Sequence, residues 1–493
     1  MKPLLRFALP FFCLIIFLGL SPDAFAEDVA IDETNFPDDI FRSYVSEIYD
    51  EDSDGAFSET EIFRIRSLSV SNKGIASLKG IEHFTALKNL YCDKNQLTRL
   101  DLSNNTALAY LSCSSNQFTR LDLSNNKALA RLYCHMNQLT RLDVSNNTAL
   151  TTLDCSGNPL TKIEVGNNTA LTSLNCSRNQ LTSLDVSNNI ALTSLHCYDN
   201  QLTSLDVSKN LALTSLDCSN TQLTSLDVSI NTALTSLYCS RTQLTSLDVS
   251  NNTALTKLDC SMNTLTSLDV SKNTALTTLD CFDNQLTSLD VSNNTALTKL
   301  DCSMNTLTSL DVSKNTALTT LDCFDNQLTS LDIDSCVHLR ELLCDGNHMA
   351  TIDISNCPIL VILVKSSPAR DAGSHIAYGS GYVHDPRIWI DKDTTLITPS
   401  PDLVLPASLE VIGEEAFSCG AFRYVKLSEQ TEQIGPFAFA DCPNLKYIWI
   451  PNETTTIDDN AFGDIQGIVI FGKAGSTADD YAYDHYLDFV PIS

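Results

Sequence analysis

The sequence predicts a β-solenoid, a stack of short coils that share one parallel sheet. Three observations carry that expectation. Thirteen cysteines recur every 21 residues from Cys92 to Cys344, in the frame L-x-C-x-x-N-x-L. The Leu-x-Cys core of each frame alternates in and out at period two, as a strand does. Residues 243–290 and 285–332 are identical over all 48 positions, so a two-coil block has been copied within the chain. A short fixed period is the mark of units that bury their apolar faces only against their neighbours.

The chain of 493 residues is 43% hydrophobic and carries a formal net charge of −29. That charge argues against nucleic acid or an anionic membrane as a partner, because both would repel it. Residues 1–26 read as a secretory leader: Lys2 and Arg6, the apolar run FALPFFCLIIFLGL, and PDAFA before Glu27. The run is short for a bilayer span. No later stretch is apolar enough for insertion, Cys13 has no small-residue box before it, and the ending FVPIS offers no anchor. A secreted or cell-surface location is expected, with a monomer as the simplest state.

Residues 27–66 form the expected N-terminal cap, with short helices in FPDDIFRSYVSEIY and SETEIFRIRSL. Between them lies YDEDSDGAFSETEIF. Asp50, Asp52, Asp54, Gly55, Phe57, Ser58 and Glu61 fill positions 1, 3, 5, 6, 8, 9 and 12 of an EF-hand-like loop. Alternate oxygens converge on one cation, Ala56 adds its carbonyl, Gly55 permits the turn and Glu61 closes the site. Calcium is the expected ion. A solvated acidic loop is the plainer alternative. Such loops usually pair and only one is present, which favours a structural site over a sensor and departs from dockerins, which carry two.

Residues 67–365 are the repeat array. Their frame resembles the leucine-rich repeat, L-x-x-L-x-L-x-x-N/C-x-L, with cysteine in the slot of the third leucine, and is most similar to the secreted bacterial internalin-like class. The resemblance implies a curved parallel sheet on the concave side, with one short strand per coil. At roughly 4.8 Å per strand, thirteen coils make a rod on the order of 60 Å long. Asn263 and its equivalents belong at the turn after the strand, where a buried amide satisfies backbone groups that the bend leaves unpaired. Thr221 and Thr242 replace this Asn in two adjacent coils, so a weaker ladder is expected there.

The cysteines read as a packing column rather than as disulfides or a metal ladder. An odd number cannot all pair, in-register side chains point the same way, and no C-x-x-C cluster offers a zinc site. Cys336 and Cys357 form a second column, in the place of Asn315 and its equivalents, and are close enough in pattern for pairing to stay open.

The second half of each unit hardly changes along the chain, whereas the positions flanking Cys vary. Tyr133, Tyr198, Tyr238, Phe282 and Phe324 are the aromatics expected to face outward from the sheet as ligand contacts, with drift on a solvated face as the alternative. The back half carries an acidic column from Asp101 to Asp353. Neighbouring carboxylates at strand spacing repel by about 1 kcal/mol even in water. Hydrogen bonds from nearby turn amides or hydroxyls, or bound divalent cations, would offset this.

Residues 366–395, rich in Ser, Gly, Pro and Asp, read as a connector. Residues 396–493 carry IGEEAF, IGPFAF and IDDNAF at a period near 22 and then FGKAGSTADDYAYDHYLDFVPI. This segment resembles the BspA-like, Treponema-type leucine-rich repeats and their terminal cap. The resemblance implies a bacterial surface or secreted protein with a role in adhesion. No nucleophile elbow, H-E-x-x-H or phosphate loop appears, and the eight histidines form no ligand cluster. The expected function is binding of an extracellular protein or glycan by the concave face, without catalysis. The alternative is a subunit of an extracellular enzyme complex docked through the calcium loop.

Overall fold

The computed structural model describes residues 28–366, 370–372, 375–378, 387–398 and 403–492. The expected leader, residues 1–26, lies outside them.

The cap forms as its sequence directs. Helices Asp39–Tyr49 and Glu59–Arg64 flank the acidic loop, and the strand Ala56–Phe57 pairs antiparallel with Val29–Ala30. Asp38 starts the first helix by accepting from Ile40 and Phe41 N–H on one oxygen. Its other oxygen accepts from Ala76 and Ser77 N–H, which ties the helix start to the first coil. Phe36, Phe41, Phe57 and Phe84 are fully buried and pack their rings 5.5–6.1 Å apart. The cap thus closes the open end of the stack with aromatic surface, as a solenoid requires.

From Ser67–Ser69 to Glu341–Leu343, fourteen three-residue strands form one parallel ladder. Register is Leu to Leu at each step, as in Leu258 to Leu279 to Leu300. Each central Leu is at most 1% exposed, and so is each Cys of the 21-residue series. The ladder extends past the strand: Cys92 N–H donates to the Ser112 carbonyl in the next coil at 2.8 Å, and the pattern repeats up the stack.

Two columns of asparagine hold the turns. In the first, Asn116 Nδ2 donates to the carbonyls of Cys92 and Cys113, and its Oδ1 accepts from Leu97 N–H. One side chain therefore links three backbone groups in two coils. In the second, Asn126 donates to the carbonyls of Leu102 and Asn105, and eleven residues from Asn105 to Asn315 do the same job while buried. Cys336 takes over this column as expected, with Sγ 3.8 Å from the carbonyls of Val312 and Asn315, the groups an amide would have bonded. All seventeen cysteines among the described residues are unpaired, Cys336 and Cys357 included.

One expectation is corrected. Residues 366–395 are not merely a connector. The strand Arg387–Asp391 adds to the main sheet beside Glu341–Leu343, in parallel and in register, and Thr395–Ile397 pairs with Thr351–Asp353. Beyond it, His375–Tyr378 and Arg370–Ala372 continue the sheet antiparallel. The physical reason is the alternation RIWID, which buries Ile388 and Ile390 and satisfies the edge of the last coil. A helix, Pro358–Ser366, precedes this stretch.

The C-terminal segment is a second, smaller solenoid. Leu403–Val404, Tyr424–Lys426, Tyr447–Ile450, Val469–Gly472 and Asp488–Pro491 form one parallel sheet, and three two-residue strands form another. Phe417, Phe439 and Phe462 of the three Ala-Phe motifs stack at 5.4 and 5.7 Å. Tyr447 Oη–H donates to the Ser355 carbonyl at 3.0 Å and Lys446 reaches Asn356, so the two solenoids touch through polar contacts.

Candidate functional site

Three regions carry chemistry. The first is the acidic loop of the cap. Gly55 sits at φ +86°, a left-handed bend that only glycine adopts without strain. The bend brings one carboxylate oxygen each of Asp50, Asp52 and Asp54 within 4.8 Å of one another. Asp50 is 9% exposed; its Oδ2 accepts from Gly55 N–H, while its buried Oδ1 has no hydrogen-bond partner. Partial desolvation within the loop, then the neighbouring carboxylates of Asp54, Glu61 and Asp50, raise the exposed Asp52 carboxyl above its ordinary value. Ala56 lies in the short strand beside this cluster.

Ser58 and Glu61 are joined differently. Glu61 Oε2 accepts from both Ser58 N–H and Ser58 Oγ–H at 2.8 Å, and Glu61 Oε1 accepts from Glu51 N–H at 2.8 Å. This is a capping box for the second helix. Burial works against the Glu61 charge, but these hydrogen bonds outweigh it and hold the carboxyl below the ordinary glutamate value. The structure thus brings the three aspartates together, and it places Glu61 behind them as both helix cap and loop clasp. The donor set is all oxygen and anionic, which suits a hard divalent cation.

The second region is the outward face of the main sheet. Tyr133, Tyr198, Tyr238, Phe282 and Phe324 all lie there, each half-buried. They do not form one patch. Tyr133 and Tyr238 end their strands, whereas Tyr198, Phe282 and Phe324 follow the cysteines into the turn. Arg178 lies over the Tyr198 ring at 5.6 Å. Tyr133 instead joins a cluster that the flanking-position argument did not gather. Tyr91, Tyr110 and Tyr133 lie on three consecutive strands with ring centroids 4.8 and 5.6 Å apart. Tyr110 occupies the first position of its strand, so it meets the other two across the diagonal; the reach of aromatic side chains between diagonal neighbours is the signal that would have found it.

Further along, Asp259, Asp280, Asp301 and Asp322 stand directly opposite one another on four consecutive strands. Lys299 Nζ meets Asp280 Oδ1 at 2.9 Å, and Ser261 and Ser303 hydroxyls donate to Asp259 and Asp301. Burial, then the Asp301 charge beside it, pushes the Asp322 carboxyl up to about 7.

The third region is the acidic column of the back half. Each Asp faces a residue two positions on: Asp101 accepts from Ser103 N–H at 3.0 Å, and the same bond recurs from Asp122 to Asp311 except at Glu164, where Gly166 follows. Hydrogen bonds from the serine hydroxyl and N–H hold these carboxyls, Asp101 and Asp248 among them, below the usual aspartate range. Local hydrogen bonding therefore offsets the repulsion.

Known proteins share this architecture. Residues 398–470 match the BspA type leucine rich repeat region in six copies. The functional domain of InlJ from Listeria monocytogenes, which includes a cysteine ladder, superposes with a TM-score of 0.65 at 39% identity, over 69% of this chain and 75% of that one. The chain belongs to the bacterial internalin-like leucine-rich repeat proteins. Internalin J of Listeria monocytogenes serotype 4b (strain F2365) is 42% identical over 70 residues, which are 14% of this chain and 8% of that protein. The match therefore spans a small part of that relative's length. The internalin inlF from Listeria monocytogenes shares the fold at a TM-score of 0.56 and 24% identity, over 68% of this chain and 95% of that one. An internalin-like solenoid supports a role in protein interaction or surface recognition, and no enzymatic family is indicated. Internalin-like and BspA-type proteins are typically surface or secreted. Among the described residues no helix is long and apolar enough to cross a membrane.

Proposed function

We propose that this internalin-like protein is a secreted or surface-held adhesin whose sheet face grips an extracellular protein or glycan. The observation that carries the reading is the tyrosine cluster of Tyr91, Tyr110 and Tyr133, partly open to solvent in a sheet whose other face is packed with leucine and cysteine. Tyrosines give large contact area at low ordering cost and concentrate binding energy. Tyr198, Tyr238, Phe282 and Phe324 extend the same face toward the C-terminal coils.

Calcium belongs to this reading as a structural ion. Asp50, Asp52 and Asp54 would hold it, with Glu61 and the Ala56 carbonyl nearest behind them. When bound it would offset part of the loop's negative charge and fix the two cap helices relative to the first coil. The unpartnered, buried Asp50 Oδ1 supports this assignment.

The test is capture on glycan arrays and intact cells with the full chain, alongside Tyr110→Ala/Tyr133→Ala and Tyr198→Ala/Tyr238→Ala. Each pair is expected to keep the thermal transition and to lose about tenfold or more in affinity. Unchanged capture by both pairs would place recognition elsewhere.

A further inference from the structure

The back half of the first coils differs from all the others. Two residues before the acidic-column residues Asp101, Asp122, Asp143 and Glu164, the chain places Arg99, Arg120, Arg141 and Lys162 in four consecutive coils. From Ser183 to Ser330 the same position is serine in every coil. A chain of net charge −29 thus concentrates a cationic stripe on one short stretch. At roughly 4.8 Å per coil the stripe is about 14 Å long.

The stripe is not needed to neutralise the acids beside it. At Asp185, Asp227, Asp248 and Asp290 in the serine coils the acidic column continues with no cation beside it, held by hydrogen bonds from the serine two residues on. Within the stripe, Arg141 approaches Asp143 only at 3.8 Å with 84% of its side chain exposed, and Lys162 meets Glu164 at 2.6 Å. Among the described residues Arg99 and Arg120 have no ion pair or hydrogen bond, so both guanidinium forks are free. The three arginines line a groove of about 500 Å³, together with Thr98, Thr119 and Asp122. A second groove of about 390 Å³ continues past Lys162.

We propose that this groove binds an anionic polysaccharide, with its sulfate or carboxylate groups on the Arg99, Arg120 and Arg141 guanidiniums. Planar N–H forks match such oxyanions. The choice of a glycan follows from what flanks the stripe. The threonine hydroxyls and the Asp122 and Asp143 carboxylates accept or donate hydrogen bonds to sugar hydroxyls. Those same carboxylates repel a densely charged polymer: duplex DNA carries one charge per roughly 1.7 Å, too many to miss the acidic column two residues away. A slim chain with intermittent charges and many hydroxyls satisfies both columns. This surface is separate from the tyrosine face.

The experiment measures binding of the full chain to an immobilised chondroitin sulfate oligosaccharide and to an oligogalacturonate, with neutral dextran and polyphosphate as comparators. The quadruple variant Arg99→Ser/Arg120→Ser/Arg141→Ser/Lys162→Ser adopts the residue that the later coils already carry, so it should fold. The wild type is expected to bind at least one of the two anionic glycans in low salt and to release it as salt rises, and the quadruple variant to bind roughly tenfold more weakly, because individually weak exposed charges add along the groove. Ser183→Arg/Ser204→Arg, which lengthens the stripe, should strengthen binding, and this arm remains informative if the quadruple variant unfolds. Tyr110→Ala/Tyr133→Ala should bind these glycans as the wild type does. Equal binding by the quadruple variant, no binding to either anionic glycan, or polyphosphate held as tightly as the glycans would overturn the proposal.

Discussion

The hydroxyl of Thr242 donates to the amide oxygen of Asn263 across one coil at 2.5 Å. Elsewhere along the turn column an Asn Oδ1 accepts a backbone N–H from the coil before: that of Ile75 at Asn95, of Phe118 at Asn137, and of a leucine in the other coils, as from Leu181 at Asn200 and from Leu244 at Asn263. Thr221 and Thr242 carry only a hydroxyl, each bonded to the carbonyl three residues back. No corresponding acceptor meets the N–H of Leu202 or Leu223. The ladder is interrupted at its middle, as the two threonines led us to expect.

Thr221→Asn should therefore stabilise the solenoid. The side chain restores an acceptor for Leu202 N–H and a second donor to the Cys197 carbonyl, and neighbouring coils already hold Asn on the same backbone. An unmet buried N–H costs about 1–3 kcal/mol, so a gain of about 1–2 kcal/mol in urea unfolding is expected. The reverse change, Asn305→Ala, strips the acceptor of Leu286 N–H and the donor to Cys281 and Cys302 carbonyls, and should cost about 2–3 kcal/mol. A neutral or destabilising Thr221→Asn would show that the break is not a weak point.

The thiols should separate by exposure. Cys419 is the exposed one among the described cysteines, whereas the 21-residue series is buried. Burial pushes the Cys176 and Cys218 thiols up to about 12, and the thiolate is the reactive form. Native alkylation of the reduced, folded chain should label Cys419 within minutes and leave the series unlabelled until denaturant is added. Rapid native labelling at Cys260 or Cys281, read by peptide mass spectrometry, would contradict the packing role.

Calcium should bind the cap loop weakly, with Kd roughly 10⁻⁴–10⁻³ M, the range of extracellular modules. Asp52→Asn should abolish the calorimetric calcium signal while leaving stability in chelator unchanged, because Asp52 is exposed and caps nothing but the Asp54 turn. Glu61→Ala should lower stability even in chelator by about 1 kcal/mol through loss of the capping box. Calcium heat that survives Asp52→Asn would place the ion elsewhere.

Two carboxylate groups should act oppositely on stability as pH changes. The serine-bonded column has folded values below the ordinary range, so its contribution is present above about pH 4 and disappears as pH falls through those values. Asp322 behaves in reverse. Its folded carboxyl, at about 7 beside Asp301, Glu341 and Asp345, holds a proton that the unfolded chain has already lost. Stability should therefore fall as pH rises from about 4 to about 7 on its account. Asp322→Asn should raise the thermal transition at pH 8 and change it little at pH 4. An equal shift at both would remove the carboxylate stack as the cause.

What could be read from the sequence alone was whatever repeats. The 21-residue spacing sets the register of every strand, because a Leu-x-Cys core at period two has one buried face and any slip would expose it. The turn asparagines, the takeover by Cys336 and the weak place at Thr221 and Thr242 follow from the same spacing. The converging Asp50, Asp52 and Asp54 were legible too, because their alternation and Gly55 are local. What only the tertiary structure decided involves partners distant in sequence or direction. Arg387–Asp391 is a strand because Glu341–Leu343 offers it an unpaired edge; its surroundings, rich in Ser and Gly, read as loop. Tyr110 joins Tyr91 and Tyr133 only across the diagonal of a formed sheet. Glu61 clasps Ser58 and Glu51 because the second helix begins where the loop ends, a geometry that spacing does not state. Local periodicity is written in the chain; the pairing of one edge with another is settled when the coils stack and each backbone group finds what remains to bond.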